Sequence, residues 1–195
     1  ISDPLLNIAL SKLKLESDAI QKRSKVIVGD MRDFDLCEKF ATVLLPYRTF
    51  QHLLTPVDQI SALNEIRRHL EKEGRLVFNI FEPSDEIQRN GWSTPLILDT
   101  EITDPSTNDM ISVYFSRLCD PQTQIMEQNF IFERWDNLGK SKDRCIQNLS
   151  LRWSTEWELR HLFGVAGFSV VAFYGDFSGS PYQGFGEQIW ILETD

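Results

Sequence analysis

Arg48, Phe50 and His52 put more usable chemistry into a short stretch than any other part of the chain. The planar fork of an arginine can clamp a carboxylate or a phosphate on a bound molecule. A histidine titrates near neutrality and can take a proton from an amine or hydroxyl nucleophile; an isolated one also serves as a structural hydrogen-bonder. Tyr47 stands beside Arg48, and a second group, Tyr174-Gly175-Asp176-Phe177, is suited to touching a substrate. Trp92, Tyr114, Trp153, Tyr174 and Tyr182 are candidates for a pocket lining, with core packing the first reading of Trp153. Metal chemistry has no support, because His52, His69 and His161 lack the spacing of paired ligands. No nucleophile elbow surrounds a serine.

Bulk properties narrow the setting. The 195 residues suit a single domain, 1–195, with room for an insertion, and 42% apolar and 25% charged residues are ordinary for a soluble globular protein. Cys37, Cys119 and Cys145 are odd in number and far apart, which argues against a disulfide framework or zinc cluster and for a reducing compartment. Apolar runs are only strand-length, and residues 1–20 carry no signal-peptide pattern. A cytoplasmic protein with no membrane partner is expected. The net charge of −9 argues against nucleic acid as the main partner.

The elements that would position these residues alternate. Asp3-Pro4 opens a helix with Leu6, Ala9, Leu10 and Leu13 on one face. Residues 25–29 read as a short buried strand ending at Gly29-Asp30, and residues 40–45 as another, stopped by Pro46. Thr55 and Asp58 have capping-box spacing, and the helix they begin buries Ile60, Leu63, Ile66 and Leu70. Gly74 reads as its left-handed end. Residues 75–81 are a third apolar strand. This order is that of a parallel sheet with helices on its faces.

From 92 to 153 the rhythm changes to four alternating segments separated by Asp104-Pro105-Ser106, Asp120-Pro121-Gln122 and Asp136-Asn137-Leu138-Gly139. Met126, Phe130 and Phe132 alternate with Glu127, Asn129 and Glu133, the pattern of an antiparallel insertion with one wet face. Helical spacing returns after Thr155 and Glu158 and ends at Gly167. Strands 168–174 and 187–192 close the chain around a glycine-rich stretch. Open parallel sheets bind ligands beyond the carboxyl ends of their strands, which places Asp30-Met31, Pro46-Tyr47-Arg48 and Glu82-Pro83 at the rim.

The runs Val28-Gly29-Asp30-Met31-Arg32-Asp33-Phe34, Phe40 through Leu54, His69 through Val77, Trp157-Glu158-Leu159 and Ala166-Gly167-Phe168 resemble, in order and spacing, the class I S-adenosylmethionine-dependent methyltransferases. The resemblance covers nearly all of the chain outside the insertion. It implies an α/β fold, a three-layer Rossmann-like methyltransferase sheet incomplete at the N-terminus, carrying an antiparallel β insertion over the active-site rim. By that resemblance Asp30 accepts a hydrogen bond from the adenine amino group, with Met31 beside the ring. The alternative for Asp30 is a turn cap. Leu45, Pro46 and Phe50 belong to the cofactor side, Leu45 and Pro46 having core and strand-end readings as well. Tyr47, Arg48, Tyr174 and Asp176 belong to the substrate side, and His52 is the candidate catalytic base.

The family's glycine-rich cofactor loop has no counterpart, since residues 1–28 contain no glycine. The expectation is a sequence that begins at the end of the family's second strand, with weak cofactor binding and little turnover alone. The function implied is methyl transfer from S-adenosyl-L-methionine to oxygen or nitrogen of a small-molecule acceptor. A non-catalytic methyltransferase-like binding domain is the alternative. A nucleotide-dependent oxidoreductase shares the parallel sheet but not the closing hairpin or the Gly-Asp turn.

Overall fold

The computed structural model describes residues 2–194. Eight strands, numbered along the chain, form two four-stranded sheets. The first sheet contains β1 (Phe40–Leu45), β2 (Leu70–Glu82), β7 (Phe168–Tyr174) and β8 (Gly186–Thr194). Their order is β1-β2-β8-β7: β1 and β2 are parallel, and β8 runs antiparallel to both of its neighbours. The last strand therefore enters between β2 and β7, and β7 takes the edge.

Local chemistry sets the covering helices. Helix α1 (Asp3–Lys14) and α2 (Asp18–Arg23) precede the sheet, and α3 (Pro56–Arg68) joins β1 to β2. The Asp58 amide donates to Thr55 Oγ1 at 3.1 Å, and Pro56 occupies the first turn, where no amide donor is needed. Helix α4 (Asp85–Asn90) follows β2, and α5 (Glu156–Ala166) precedes β7. The Glu158 amide donates to Thr155 Oγ1 at 3.3 Å, and α5 ends on Gly167 at φ 74°. A Cβ at Gly167 would also meet Arg67 Nη1 at 2.0 Å.

Helices α3 and α5 pack together over one face of the sheet. Ala62, Leu63 and Ile66 of α3 and Leu159 and Phe163 of α5 cover Leu76, Phe78, Ile80, Trp190 and Leu192, all buried. Phe163 meets Phe78 edge-on at 5.8 Å and Trp190 at 5.1 Å. Ala41, Thr42 and Leu44 of β1 remain exposed, and the outer edge of β1 has no partner strand among the described residues.

Three sequence expectations change. Residues 25–29 form no strand: Val26, Ile27 and Val28 are 41%, 49% and 54% exposed. An extended segment becomes a strand only by exchanging backbone hydrogen bonds with a neighbour, and among the described residues no strand pairs with this one. Gly74 does not end the helix, which closes at His69 in the right-handed region. Gly74 lies within β2, where a Cβ would meet Glu71 O at 2.8 Å and Phe40 O at 3.1 Å, so it permits close backbone approach. The expected apolar face of α1 does not enter the core: Leu6 and Leu13 are half-buried, Ala9 and Leu10 are exposed, and no residue of the helix is buried.

The second sheet is the expected antiparallel meander, with β3 (Trp92–Thr103), β4 (Met110–Asp120), β5 (Ile125–Trp135) and β6 (Ser141–Arg152) in spatial order. Each turn contains an aspartate that accepts from the amide two residues on: Asp104 from Ser106, Asp120 from Gln122 and Asp136 from Leu138, all at 2.9 Å. The sheets meet at Gln51, which is 1% exposed. Its Nε2 donates to Phe81 O and Arg152 O, both at 3.1 Å, and its Oε1 accepts from the Phe81 amide at 2.9 Å. Arg152 adds a second tie, donating to Gln124 Oε1 at 2.6 Å and to Glu158 Oε1 at 2.5 Å.

Candidate active site

Everything at the site turns on how β1 ends. Tyr47 and Arg48 follow Pro46 with φ values of 60° and 62°, both left-handed, and a 3-10 turn (Thr49–His52) begins immediately. Thr49 braces the turn by donating to Pro46 O through its hydroxyl at 2.5 Å and its amide at 3.3 Å. A non-glycine residue in this region costs of order 1 kcal/mol or more. Tyr47 is 94% exposed and has little packing to lose. Tyr47→Gly should therefore raise the unfolding free energy by about 1 kcal/mol, read from chemical denaturation. A lower midpoint would show that the phenol ring stabilises the turn.

Two openings flank this turn. On one side a groove of about 640 Å³ lies between β1 and the extended segment, with Asp30, Met31 and Leu45 in its wall. The Asp30 carboxylate accepts from the Arg32 amide at 2.9 Å and from Arg32 Nη2 at 2.7 Å. Hydrogen bonding from the Arg32 side chain, then from its amide, lowers the Asp30 pKa to about 2. The group is ionised at any working pH and acts only as an acceptor. Met31 and Leu45 lean on the core behind it.

On the other side a cavity of about 610 Å³ separates the two sheets, and Tyr47, Arg48 and His52 line it. Arg48 pairs with Glu187 at 2.7 Å, and its guanidinium carbon lies 5.0 Å from the Phe81 ring centre. Asn79 donates through Nδ2 to the same Glu187 and accepts from the Arg48 amide at 3.4 Å. His52 is exposed and has no hydrogen-bond partner among the described residues. The insertion contributes Arg117, Gln128, Phe130, Leu149 and Leu151, and Phe177 enters from the loop between β7 and β8.

The expected site residues thus divide. Asp30, Met31 and Leu45 meet in the groove; Tyr47, Arg48 and His52 meet in the cavity. Phe50 requires correction as a cofactor contact: it is 1% exposed, its ring 5.1 Å from that of Phe78 in the core. Pro46 shapes the turn between the two openings and is among the principal lining residues of neither. Tyr174 and Asp176 likewise stand back. The Asp176 carboxylate accepts from the Ser178 and Ser180 amides at 2.8 and 3.0 Å, folding the loop that carries Phe177. That loop is closed at its base, where the Gly175 amide donates to Ser180 O at 2.7 Å and a Gly175 Cβ would meet Pro181 O at 2.9 Å.

Asn79, Glu187, Arg117 and Gln128 were missing from the expected set. Two carried a signal: Asn79 interrupts an apolar strand, and Gln128 sits on the apolar face of β5 between Met126 and Phe130. Of the aromatic candidates, Trp153 is buried core at 3% exposure. Tyr182 donates to the buried Glu82 at 2.6 Å, and Gln188 donates to the same carboxylate. Glu82, expected at the rim, is therefore an internal group.

Burial raises the Glu82 pKa above 4.5. The folded state then binds this proton more tightly than the unfolded state, so Glu82 favours folding at low pH and loses that advantage as pH rises through the raised value. Stability curves of wild type and Glu82→Gln should diverge over that window, the wild type falling relative to the variant. Parallel curves from pH 4 to 8 would show that Glu82 titrates normally (pH limits about those of ordinary carboxyl to neutral titration).

No family model matches the sequence. The chain is 23% identical over 178 residues to the cypemycin N-terminal methyltransferase of a Streptomyces species, covering 91% of this chain and 67% of that protein. The solved CcbJ methyltransferase of Streptomyces caelestis superposes with a TM-score of 0.77 at 19% identity, covering 100% of this chain and 77% of the other. An S-adenosylmethionine-dependent methyltransferase from Clostridium acetobutylicum gives 0.75 at 13% identity, with coverages of 99% and 72%. With a sheet ordered β1-β2-β8-β7, an antiparallel final strand and these structural neighbours, the chain has the Rossmann-like fold of the class I S-adenosylmethionine-dependent methyltransferases.

Proposed function

We propose that this chain carries the methyl-transfer site of an S-adenosylmethionine-dependent enzyme whose acceptor is a small molecule methylated on nitrogen. One observation carries the reading. Leu45 faces the groove and Tyr47, two residues on, faces the cavity, so one strand end separates a donor site from an acceptor site. The similarity to an N-terminal methyltransferase favours nitrogen over oxygen.

The groove residues suit the adenosyl part of the cofactor. Asp30 is an ionised acceptor for an exocyclic amine, and Met31 and Leu45 offer apolar surface to a flat ring. When bound, S-adenosylmethionine supplies a methyl group already activated on a sulfonium. The chain's own residues then have modest acid–base work, and orientation of the acceptor supplies much of the rate. Arg48, fixed by Glu187 and Phe81, makes a rigid cavity wall against which an acceptor is aligned. His52 opens onto the same cavity and takes the proton that a methylated amine must release.

The groove is bounded on one side by the edge of β1 that has no partner strand among the described residues, so it encloses less of a ligand than a closed site does. Binding of S-adenosylhomocysteine to the chain is therefore expected to be weak, with amide shifts at Asp30, Met31 and Leu45 in a nitrogen–proton correlation spectrum. Asp30→Ala should remove those shifts. Shifts absent at millimolar nucleoside, or unchanged in the variant, would overturn the assignment and favour a non-catalytic binding domain. The one feature supporting that second reading is Arg32, which already holds both Asp30 oxygens.

A further inference from the structure

We propose that Arg117 receives a carboxylate on the acceptor and so determines which small molecules enter the cavity, an inference that rests on the acceptor-site reading above. The protein's net charge is −9, yet this cavity is lined by two guanidiniums, Arg48 and Arg117, and one carboxylate, Glu187. Arg48 and Glu187 neutralise each other at 2.7 Å. Arg117 is left over. It forms no ion pair with a carboxylate among the described residues.

Its surroundings hold it in place without neutralising it. Arg117 and Gln128 are directly opposed across β4 and β5. With its amide oxygen toward the guanidinium, Gln128 accepts from Arg117 Nε and Nη2, both at 3.2 Å. The guanidinium carbon lies 5.7 Å from the Trp92 ring centre and 5.6 Å from that of Phe115. A guanidinium has five N–H donors. Gln128 takes one from Nε and one from Nη2, on the side edge of the fork. The end edge, formed by Nη1 and the second Nη2 hydrogen, has the spacing for two parallel bonds to a carboxylate. Phe130, Leu149, Leu151 and Phe177 give the same cavity apolar walls. The acceptor this arrangement fits has an apolar or aromatic body and a carboxylate at one end.

A matched pair of probes tests this on the whole chain: 3-phenylpropanoate and 3-phenylpropanamide, which share a body and differ in charge. Each is titrated while the Arg117 Nε–H resonance is followed by nitrogen–proton correlation. The acid should bind about tenfold or more tightly than the amide and shift that resonance, as a charge-assisted pair requires. Arg117→Gln should erase the preference. Arg117→Lys, which keeps the charge and guards against misfolding of the first variant, should retain part of it. Equal binding of acid and amide, binding of neither, or a preference that survives Arg117→Gln would each overturn the proposal. A titration with S-adenosylhomocysteine is run beside it. If that nucleoside alone moves the Arg117 signal, the carboxylate belongs to the cofactor and the proposal also fails. If the nucleoside leaves Asp30 and Met31 unmoved while the acid preference holds, the methyltransferase reading fails and the carboxylate site stands.

Discussion

Trp190→Ala should lower the unfolding free energy by about 3–5 kcal/mol, the usual range for removing a fully buried aromatic side chain. Trp190 is 0% exposed at the centre of the first sheet. Its ring stacks on Phe173 at 3.9 Å and meets Phe163 at 5.1 Å, so one truncation loosens β7 and α5 together. Its Nε1 also donates to Gln188 Oε1 at 2.9 Å, and the variant leaves that buried oxygen without its donor. For a domain of this size each kcal/mol moves the melting temperature by about 2–4 °C, so calorimetry should register a fall of roughly 6–20 °C. A fall of only about 2 °C would mean that neighbouring rings refill the space.

The second large effect is expected at Gln51, where bulk is not the issue. Gln51→Leu conserves approximate volume but orphans the Phe81 amide and weakens the bonding of two carbonyls, Phe81 O and Arg152 O. Each buried polar group left unpaired costs about 1–3 kcal/mol, so the variant should lose roughly 2–5 kcal/mol. Because the bonds join β2 to the end of β6, the loss should also free the second sheet relative to the first. Hydrogen exchange at Phe81 and in β6 should accelerate more than exchange in the α3 and α5 core. Uniform acceleration across both sheets would show that Gln51 stabilises the molecule globally and does not join its two parts.

What could be read in the sequence follows the reach of each interaction. Thr55 with Asp58 and Thr155 with Glu158 are contacts three residues apart, and both caps form where their spacing places them. The three Asp-led turns of the insertion are equally local. Residues 25–29 failed as a strand because strand formation belongs to a pair of segments, and composition describes only one of them. Gly74 failed as a cap because it lies inside β2, where a Cβ would meet Glu71 O of its own strand at 2.8 Å and Phe40 O at 3.1 Å, the second from a segment more than thirty positions away. The site divides in the same manner. Tyr47, Arg48 and His52 are sequence neighbours and were legible as a group. Asn79 and Glu187 meet only because β2 and β8 pair in one register, 108 positions apart. Arg117 and Gln128 needed the pairing of β4 with β5.

The loop that delivers Phe177 has a consequence for how such a protein changes over time. Its base is held by Gly175 against Pro181 and by Tyr182 against Glu82, while Phe177 at its tip is 80% exposed. Substitutions at the tip disturb neither the pinned base nor the core, and exposed positions of this kind usually change stability by less than about 0.5 kcal/mol. The tip behaves as a replaceable cassette on a fixed hinge plate. Selection, or a library built at residues 177 and 178, can explore the shape of the cavity mouth one residue at a time while Gly179, held at φ 83°, and the fold beneath are inherited unchanged.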